Sequence, residues 1–166
     1  MFRALDALRQ GTDPRARTVA VDFYGFADPS LHSLVAKYRL EDRITLHGHV
    51  PYRESLAVQR AADALLFLDW SDARADGVLT GKLFEYFGSG RPIVSVGRRK
   101  DTEAAALIAD TRCGVTLTSE EEIAAYLKNL AASAPLPDVE SPARDRLSRE
   151  KQARAVLEEL TARLFY

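Results

Sequence analysis

Short apolar runs alternate with amphipathic stretches along the chain, and this alternation predicts repeated β-α-β units. The predicted strands are residues 18–24, 43–46, 63–68, 92–96 and 114–117. Helical periodicity fills the intervals, at residues 2–10, 29–39, 52–61, 80–87, 102–110 and 119–130. Strands that alternate with helices form a parallel sheet. The predicted fold class is therefore α/β: a doubly wound, Rossmann-like parallel sheet with helices on both faces, in a single domain.

Local signals mark the predicted helix ends. Asp28 and Pro29 have the residue types of an N-cap and a first helical position. Asp101 or Thr102 caps the fifth helix, and Ser119 to Glu122 reads as a capping box. Gly88-Ser89-Gly90 is expected to end the helix before it.

Composition changes this picture only by exclusion. The 166 residues carry a formal net charge of −1, so no basic surface argues for nucleic acid or an anionic membrane. No apolar run approaches the ~18 residues that span a bilayer. The single cysteine, Cys113, suits a reducing cytoplasm and is expected to be a small buried hydrophobe. His32, His47 and His49 lack the spacing of a zinc site, so no metal is predicted.

The strongest chemical signal lies in residues 76–96, DGVLTGKLFEYFGSGRPIVSV, where a glycine-bearing loop leads into a helix. Backbone N–H groups at the start of that helix favour an anion, and Lys82 lies in its first turn. Glu85 shares the helix face of Lys82, and its carboxylate can accept two hydrogen bonds from a cis-diol such as that of ribose. A surface ion pair between Lys82 and Glu85 would explain the same spacing.

Two better-known phosphate motifs are absent from the sequence. Gly77 and Gly81 enclose three residues where the P-loop has four, and Leu83 follows Lys82 in place of Ser or Thr. The stretch after the first strand, Gly25 to Asp28, is no dinucleotide fingerprint. Bound ATP and NAD are therefore disfavoured.

The chain resembles the C-terminal, donor-binding domain of the retaining glycosyltransferases that use nucleotide sugars and have two facing Rossmann-like domains (the GT-B type, glycosyl transferases group 1 family). The stretches that carry the resemblance are FYG at 23–25, LEDRITLHGHVP at 40–51, ADALLFLDWS at 62–71 and CGVTL at 113–117, with KLFEYFGSGRPIVSV at 82–96 the most specific. It covers about residues 18–132.

The resemblance implies metal-independent transfer of a sugar from a nucleotide diphosphate sugar, of UDP or GDP type, to a glycan or other acceptor, without a cofactor. It implies that Glu85 holds the ribose hydroxyls and that Lys82 neutralises the diphosphate, and these two are the candidate catalytic residues. Amides around Thr80 and Gly81 would meet the diphosphate, and residues 49–51 would border the base. The implied donor-binding residues are Gly25, His49, Val50, Pro51, Asp76, Gly77, Thr80, Gly81, Lys82, Leu83 and Glu85.

One position departs from the family pattern. Many relatives carry a second glutamate eight residues before the ribose-binding one, and here that position is Gly77. Either Asp76 substitutes for it, or Lys82 takes over part of the site. Two neighbouring features each have two interpretations. Trp70 either lines the pocket or packs against the protein core, and Arg98-Arg99-Lys100 is either a solvated loop or faces phosphate.

The resemblance also implies a division of the chain. Residues 1–17 are a linker helix from a missing N-terminal acceptor-binding domain, 18–132 the donor-binding domain, 133–142 a proline-rich connector and 143–166 a C-terminal amphipathic helix. That helix is a candidate dimer surface, and the missing half a candidate for peripheral membrane association. The chain is expected to be cytoplasmic and to be inactive alone. The alternative is a non-catalytic nucleotide- or phosphosugar-binding module that activates a partner enzyme.

Overall fold

All strands in the described part of the chain run parallel, with a helix between each strand and the next. The structure, a computed structural model, describes residues 1–26, 28–69, 79–133 and 138–165. The strands are β1 Val21–Tyr24, β2 Ile44–Gly48, β3 Leu65–Leu68, β4 Ile93–Val96 and β5 Gly114–Leu117. The helices are α1 Phe2–Gln10, α2 Pro29–Lys37, α3 Tyr52–Ala61, α4 Gly81–Ser89, α5 Glu103–Thr111, α6 Glu120–Ser133, α7 Pro142–Asp145 and α8 Arg149–Phe165.

The strands form two sheets. In the first sheet β1 pairs with β2, and Val21 lies opposite Ile44. The second sheet has the order β3-β4-β5, and Ile93 lies between Leu65 and Gly114. The predicted Rossmann-like parallel α/β fold is confirmed. The break between β1 and β3 is what the sequence pattern does not predict.

Successive residues of β4 point to opposite faces of its sheet, as in any strand. Val94 belongs to a core with α1 and α6, and Ile93 to a second core with α4 and α5. The first core includes Leu5, Leu8, Ile123 and Leu127; the second includes Phe67, Leu83, Phe87 and Ile108. Because each fully buried Leu, Ile or Phe side chain contributes about 1.5–3 kcal/mol, these layers hold the helices on the sheet.

The predicted N-caps of two helices are confirmed. The Asp28 carboxylate accepts hydrogen bonds from the N–H of Ser30 at 2.7 Å and of Leu31 at 3.1 Å, with proline next in sequence. Of the two candidates for α5, Thr102 is the cap, and its hydroxyl accepts from the N–H of Ala105 at 3.1 Å. Each such cap satisfies an N–H that has no partner within the helix.

Two predicted boundaries are wrong by a few residues. The strand expected from residue 18 begins at Val21, because residues 16–18 form a 3-10 turn in which the N–H of Thr18 donates to the carbonyl of Arg15 at 3.0 Å. Helix α4 continues through Gly88 and Ser89, and the left-handed residue that ends it is Gly90, with φ +80°. Glycine adopts that conformation without strain.

The single C-terminal helix predicted from residue 143 is also wrong. The chain forms the short helix α7 and starts again as α8. Ser141 explains the first piece, because its hydroxyl caps the N–H of Arg144 at 3.2 Å and donates to the carbonyl of Thr111. Ser148 caps the second piece through the N–H of Lys151 at 3.2 Å. The described side chains of α8 are exposed throughout residues 149–163.

Gly114 of β5 lies directly against the backbone of β4. A Cβ atom added there would lie 1.9 Å from the carbonyl oxygen of Ile93, whereas one added to Gly88 of α4 would meet nothing within 4 Å. We expect Gly114→Ala to lower the free energy of unfolding by at least about 2 kcal/mol, because β4 and β5 must separate. Gly88→Ala is the control and should be neutral or stabilising by up to about 1 kcal/mol. Urea denaturation measures both, and an unchanged midpoint for Gly114→Ala would contradict this packing.

The predicted capping box of α6 carries a strongly acidic carboxyl group. The N–H of Glu122 donates to the Ser119 hydroxyl at 3.1 Å, and the Glu122 carboxylate accepts from the N–H of Ser119 at 3.4 Å and of Thr118 at 2.7 Å. The Lys100 ammonium and then these backbone bonds lower the pKa of Glu122 from 4.5 to about 2.

This shift predicts a pH dependence of stability. Because the folded pKa lies below the ordinary value, the stabilisation is present above pH 4.5 and is lost as the pH falls towards 2. Glu122→Gln should therefore give a shallower decline in unfolding free energy over that window than the wild type. Glu158→Gln, an exposed change on α8, should keep the wild-type profile. Parallel profiles for Glu122→Gln and wild type would refute the link between this carboxyl group and acid stability.

Candidate functional site

A cavity of about 1020 Å³ lies between the two sheets. Residues 18–24, including β1, line one side, and residues 61–69, including β3, line the other. Thr80, the N-cap of α4, and Lys82 and Glu85 of α4 line the same cavity. Ligands of doubly wound sheets bind at the carboxyl ends of the strands, and α4 begins on the side where β3 ends. The cavity therefore has a strand-lined body and a polar mouth.

The N-terminus of α4 supplies the anion-favouring part of the mouth. Thr80 is the N-cap residue, but its side chain caps no backbone N–H, and the first turn contains no acidic residue. Gly81 and Lys82 are exposed at this end. The first N–H groups of a helix have no partner inside it and carry the positive end of its dipole. An anion that approaches the mouth would meet these amides together with the Lys82 ammonium.

Glu85 is half-buried one turn into α4 and contacts Gln59 of α3. The Gln59 amide donates from Nε2 to Glu85 Oε2 at 3.4 Å. Within the described residues, Lys82 and Glu85 form no ion pair, so a simple pair between them does not explain the spacing. Both Gln59 and Glu85 line the cavity and also border a smaller one of about 130 Å³.

Gln59 is the site residue that the sequence analysis missed. Its side chain is 9% exposed, and its Oε1 has no hydrogen-bond partner among the described residues. A buried amide oxygen without a partner costs about 1–3 kcal/mol. In the sequence, Gln59 is simply a glutamine within a predicted helix, and nothing distinguishes it there from other polar helix residues.

Polar groups just after β3 and at the N-cap of α5 form another part of the rim. Thr102 donates its hydroxyl to the Asp69 carboxylate at 2.7 Å, which fixes Asp69 beside the start of α5. Tyr86 also lines the cavity, and its ring meets Phe67 edge-on at 6.5 Å. Burial, and then the charge of Glu85, raises the pKa of the Tyr86 hydroxyl. The phenol therefore stays neutral and can donate a hydrogen bond.

Gly25 and residues 49–51, which are also predicted to bind the donor, do not line the cavity. Gly25, with φ +116°, donates its N–H to the carbonyl of Gly48 at 2.7 Å, so the ends of β1 and β2 are joined. Residues 49–51 follow directly and lead into α3, whose N-cap is Pro51. None of these residues is among those that line the cavity. They form a neighbouring part of the same carboxyl edge.

The remaining predictions have different outcomes. Leu83 is fully buried and its N–H donates to the carbonyl of Thr80 at 3.1 Å, so its side chain faces the core. Arg99 bonds Asp101 at 2.8 Å and Lys100 bonds Glu122, which favours a solvated loop there. Cys113 is buried, as expected. Asp76, Gly77 and Trp70 lie outside the described residues.

The sequence predicts His49 at the donor site, but the histidine that contacts cavity-lining residues is His47. Nε2 of His47, two residues before His49, lies 2.7 Å from Asp22 Oδ1 in a hydrogen bond, and the His47 ring stacks on Tyr24 with ring centroids 4.3 Å apart. Asp22 and Tyr24 line the cavity, whereas His47 does not. Residues 22, 24 and 47 therefore stiffen the exposed end of the first sheet.

The described ranges contain neither a set of three metal-ligating side chains nor a helix long and apolar enough to cross a membrane.

The fold and the site together define a Rossmann-like α/β domain with an anion-favouring helix end at the carboxyl edge of its strands. The chain is similar in structure to WaaG, a glycosyltransferase involved in lipopolysaccharide biosynthesis, with a TM-score of 0.60 and 20% sequence identity. The match covers 93% of this chain and 37% of WaaG, so the chain spans little more than a third of that protein. No family model matches the chain, and no curated protein matches it in sequence.

Proposed function

We propose that this chain is the nucleotide-sugar-binding half of a glycosyltransferase, with Lys82 and Glu85 at its donor site. The observation that carries the proposal is that Thr80, Lys82 and Glu85 line one cavity at the start of α4. A cation and helix-end amides suit a diphosphate, and a carboxylate one turn away suits a cis-diol. A nucleoside diphosphate has both groups. The structural similarity to a glycosyltransferase favours a sugar as the group that is transferred.

In the proposed reaction, the sugar passes to an acceptor and the nucleoside diphosphate leaves with the bonding electrons. Negative charge grows on the diphosphate as that bond breaks. The Lys82 ammonium and the amides at the start of α4 stabilise that charge more in the transition state than in the ground state, and this difference raises the rate. Retention of configuration, independence from metal, and a UDP or GDP donor belong to the proposal through the family resemblance alone.

Glu85 would accept hydrogen bonds from both ribose hydroxyls. Gln59 is a positioning residue in this proposal, because its Nε2 contacts Glu85 Oε2 at 3.4 Å and fixes one side of the carboxylate. The acceptor sugar would bind elsewhere, since WaaG has much more chain than is matched here.

The ribose assignment is tested by calorimetry with UDP and GDP and with their 2′,3′-dideoxy analogues. Wild type should prefer the ribonucleotide, and Glu85→Gln should bind it roughly tenfold more weakly while it binds the dideoxy form unchanged, since a hydrogen bond to a charged group contributes about 1.5–3 kcal/mol. Gln59→Met should lose part of the same preference. Glu158→Gln, on α8, is the matched control. Equal losses for the ribo and dideoxy forms would remove the ribose role.

The phosphate assignment uses the same titrations with UDP and uridine. Lys82→Ala should weaken UDP binding roughly tenfold and leave uridine unchanged, whereas Lys128→Ala, which removes an exposed lysine that pairs with Asp13, should change neither. A wild type that binds no nucleoside diphosphate would overturn the donor site itself. Binding without sugar transfer after addition of an acceptor-binding half would favour the non-catalytic module.

A further inference from the structure

We propose that the body of the cavity between β1 and β3 is a slot for one extended, apolar polypeptide segment that runs parallel to both strands. The segment would join the two sheets into one. This inference rests on the sheet geometry and does not depend on the proposed function.

The backbone groups of both strands face the cavity in alternation. Val21 donates its N–H to the carbonyl of Arg43 at 2.7 Å, so the odd-numbered residues of β1 bond towards β2. Leu65 donates to the carbonyl of Pro92 at 2.8 Å, so the odd-numbered residues of β3 bond towards β4. In a parallel strand, alternate residues direct their N–H and C=O groups to opposite sides. Asp22 and Tyr24 therefore face Leu66 and Leu68 across the cavity.

In the described part of the chain, β1 pairs with β2 alone and β3 with β4 alone. Unpaired edges inside a parallel sheet are unfavourable, because buried N–H and C=O groups require partners. The Cα atoms of β1 and β3 lie, almost everywhere, more than 8 Å apart. Paired strands lie about 4.8 Å apart, so one intervening strand would place β1 and β3 roughly 10 Å apart.

The cavity is large enough for one strand. From the rise per residue, the strand spacing and the distance between packed layers, a five-residue strand fills on the order of 800 Å³. The cavity measures about 1020 Å³, and its polar mouth at α4 accounts for part of that.

Helices cover both faces of the slot, which fixes the chemistry of its occupant. Val58 and Ala62, in and just after α3, line the face shared with α4, and Leu127, Leu130 and Ala131 of α6 line the other. A strand covered on both faces is apolar at successive positions. A segment of Val and Ile fits, and an alternating or charged one does not.

The position of Met1 indicates how such a segment can be supplied. Met1 lines the cavity, and Arg3 pairs with Glu120 at 3.0 Å. Glu120 begins α6 three residues after β5 ends, so Met1 lies at the carboxyl edge of the sheet. A parallel strand in the slot would end at that edge, and α1 would then be the crossover that leads back to the start of β1.

The test adds the segment in cis. A Val-Ile-Val-Val-Ile segment is fused ahead of Met1 through a short Gly-Ser linker to the complete chain, and a matched fusion carries proline at the second and fourth positions. The first fusion should raise Tm by about 5 °C or more and slow amide exchange at Asp22, Tyr24, Leu66 and Leu68 at least tenfold. The proline fusion should match the unfused chain, because prolines at the second and fourth positions remove the N–H donors that face one edge, and proline is excluded from central strands.

Three outcomes would overturn the proposal: no gain in Tm or protection, the same gain in both fusions, or a gain that light scattering shows to come with a dimer. The last result would mean that a second copy closes the slot. Nucleotide titration of the same proteins separates this proposal from the donor site. If UDP did not bind but the gain in Tm remained, the donor-site proposal would be wrong and the proposed slot would stand.

Discussion

The main constraint on this structure is the pairing of backbone N–H and C=O groups along β1 and β3. Each strand is satisfied on its outer edge, by β2 and by β4, and each presents its inner edge to one cavity. Because the two sheets do not pair with each other in the described part of the chain, a shared apolar core holds them together, in which α1 and α6 pack with Ile44 of β2 and Val94 of β4. The shape of the mouth at α4, and with it the candidate site, depends on the width of this break.

Helix α3 links the break to the candidate site. Its residues line the cavity body, and Gln59 reaches Glu85 on the neighbouring helix. A shift of the β3 sheet relative to the β1 sheet would therefore change the position of the carboxylate proposed to hold ribose. The Gly25–Gly48 hydrogen bond, by contrast, lies within the first sheet, and neither Gly25 nor residues 48–51 line the cavity that Lys82 lines. A strand that joined the two sheets would fix the position of the β1 and β2 loop ends relative to the start of α4.

The sequence predicts elements whose signals are local. Asp28 and Ser119 cap the helices that their residue types indicate, and the apolar runs at β3, β4 and β5 are strands. It does not predict contacts between distant positions: Ser141, the cap of α7, donates to the carbonyl of Thr111, 30 residues away. Helix periodicity predicts that Lys82 and Glu85 lie on the same side of α4. The contact between Gln59 and Glu85 joins residues 26 positions apart, and no nearby residue in the sequence indicates it. The break in the sheet is likewise a property of strand pairing, which apolar periodicity does not encode.

Amide hydrogen exchange of the unmodified chain tests the two-sheet arrangement most directly. With two separate sheets, the amides of Asp22, Tyr24, Leu66 and Leu68 should exchange much faster than those of Val21, Phe23, Leu65 and Phe67, which alternate with them and bond outward. Because the two sets of amides alternate along the same two strands, local unfolding of a strand would affect both sets alike. Equal protection of the two sets would contradict the account, since it would mean that β1 and β3 already have partners on both edges.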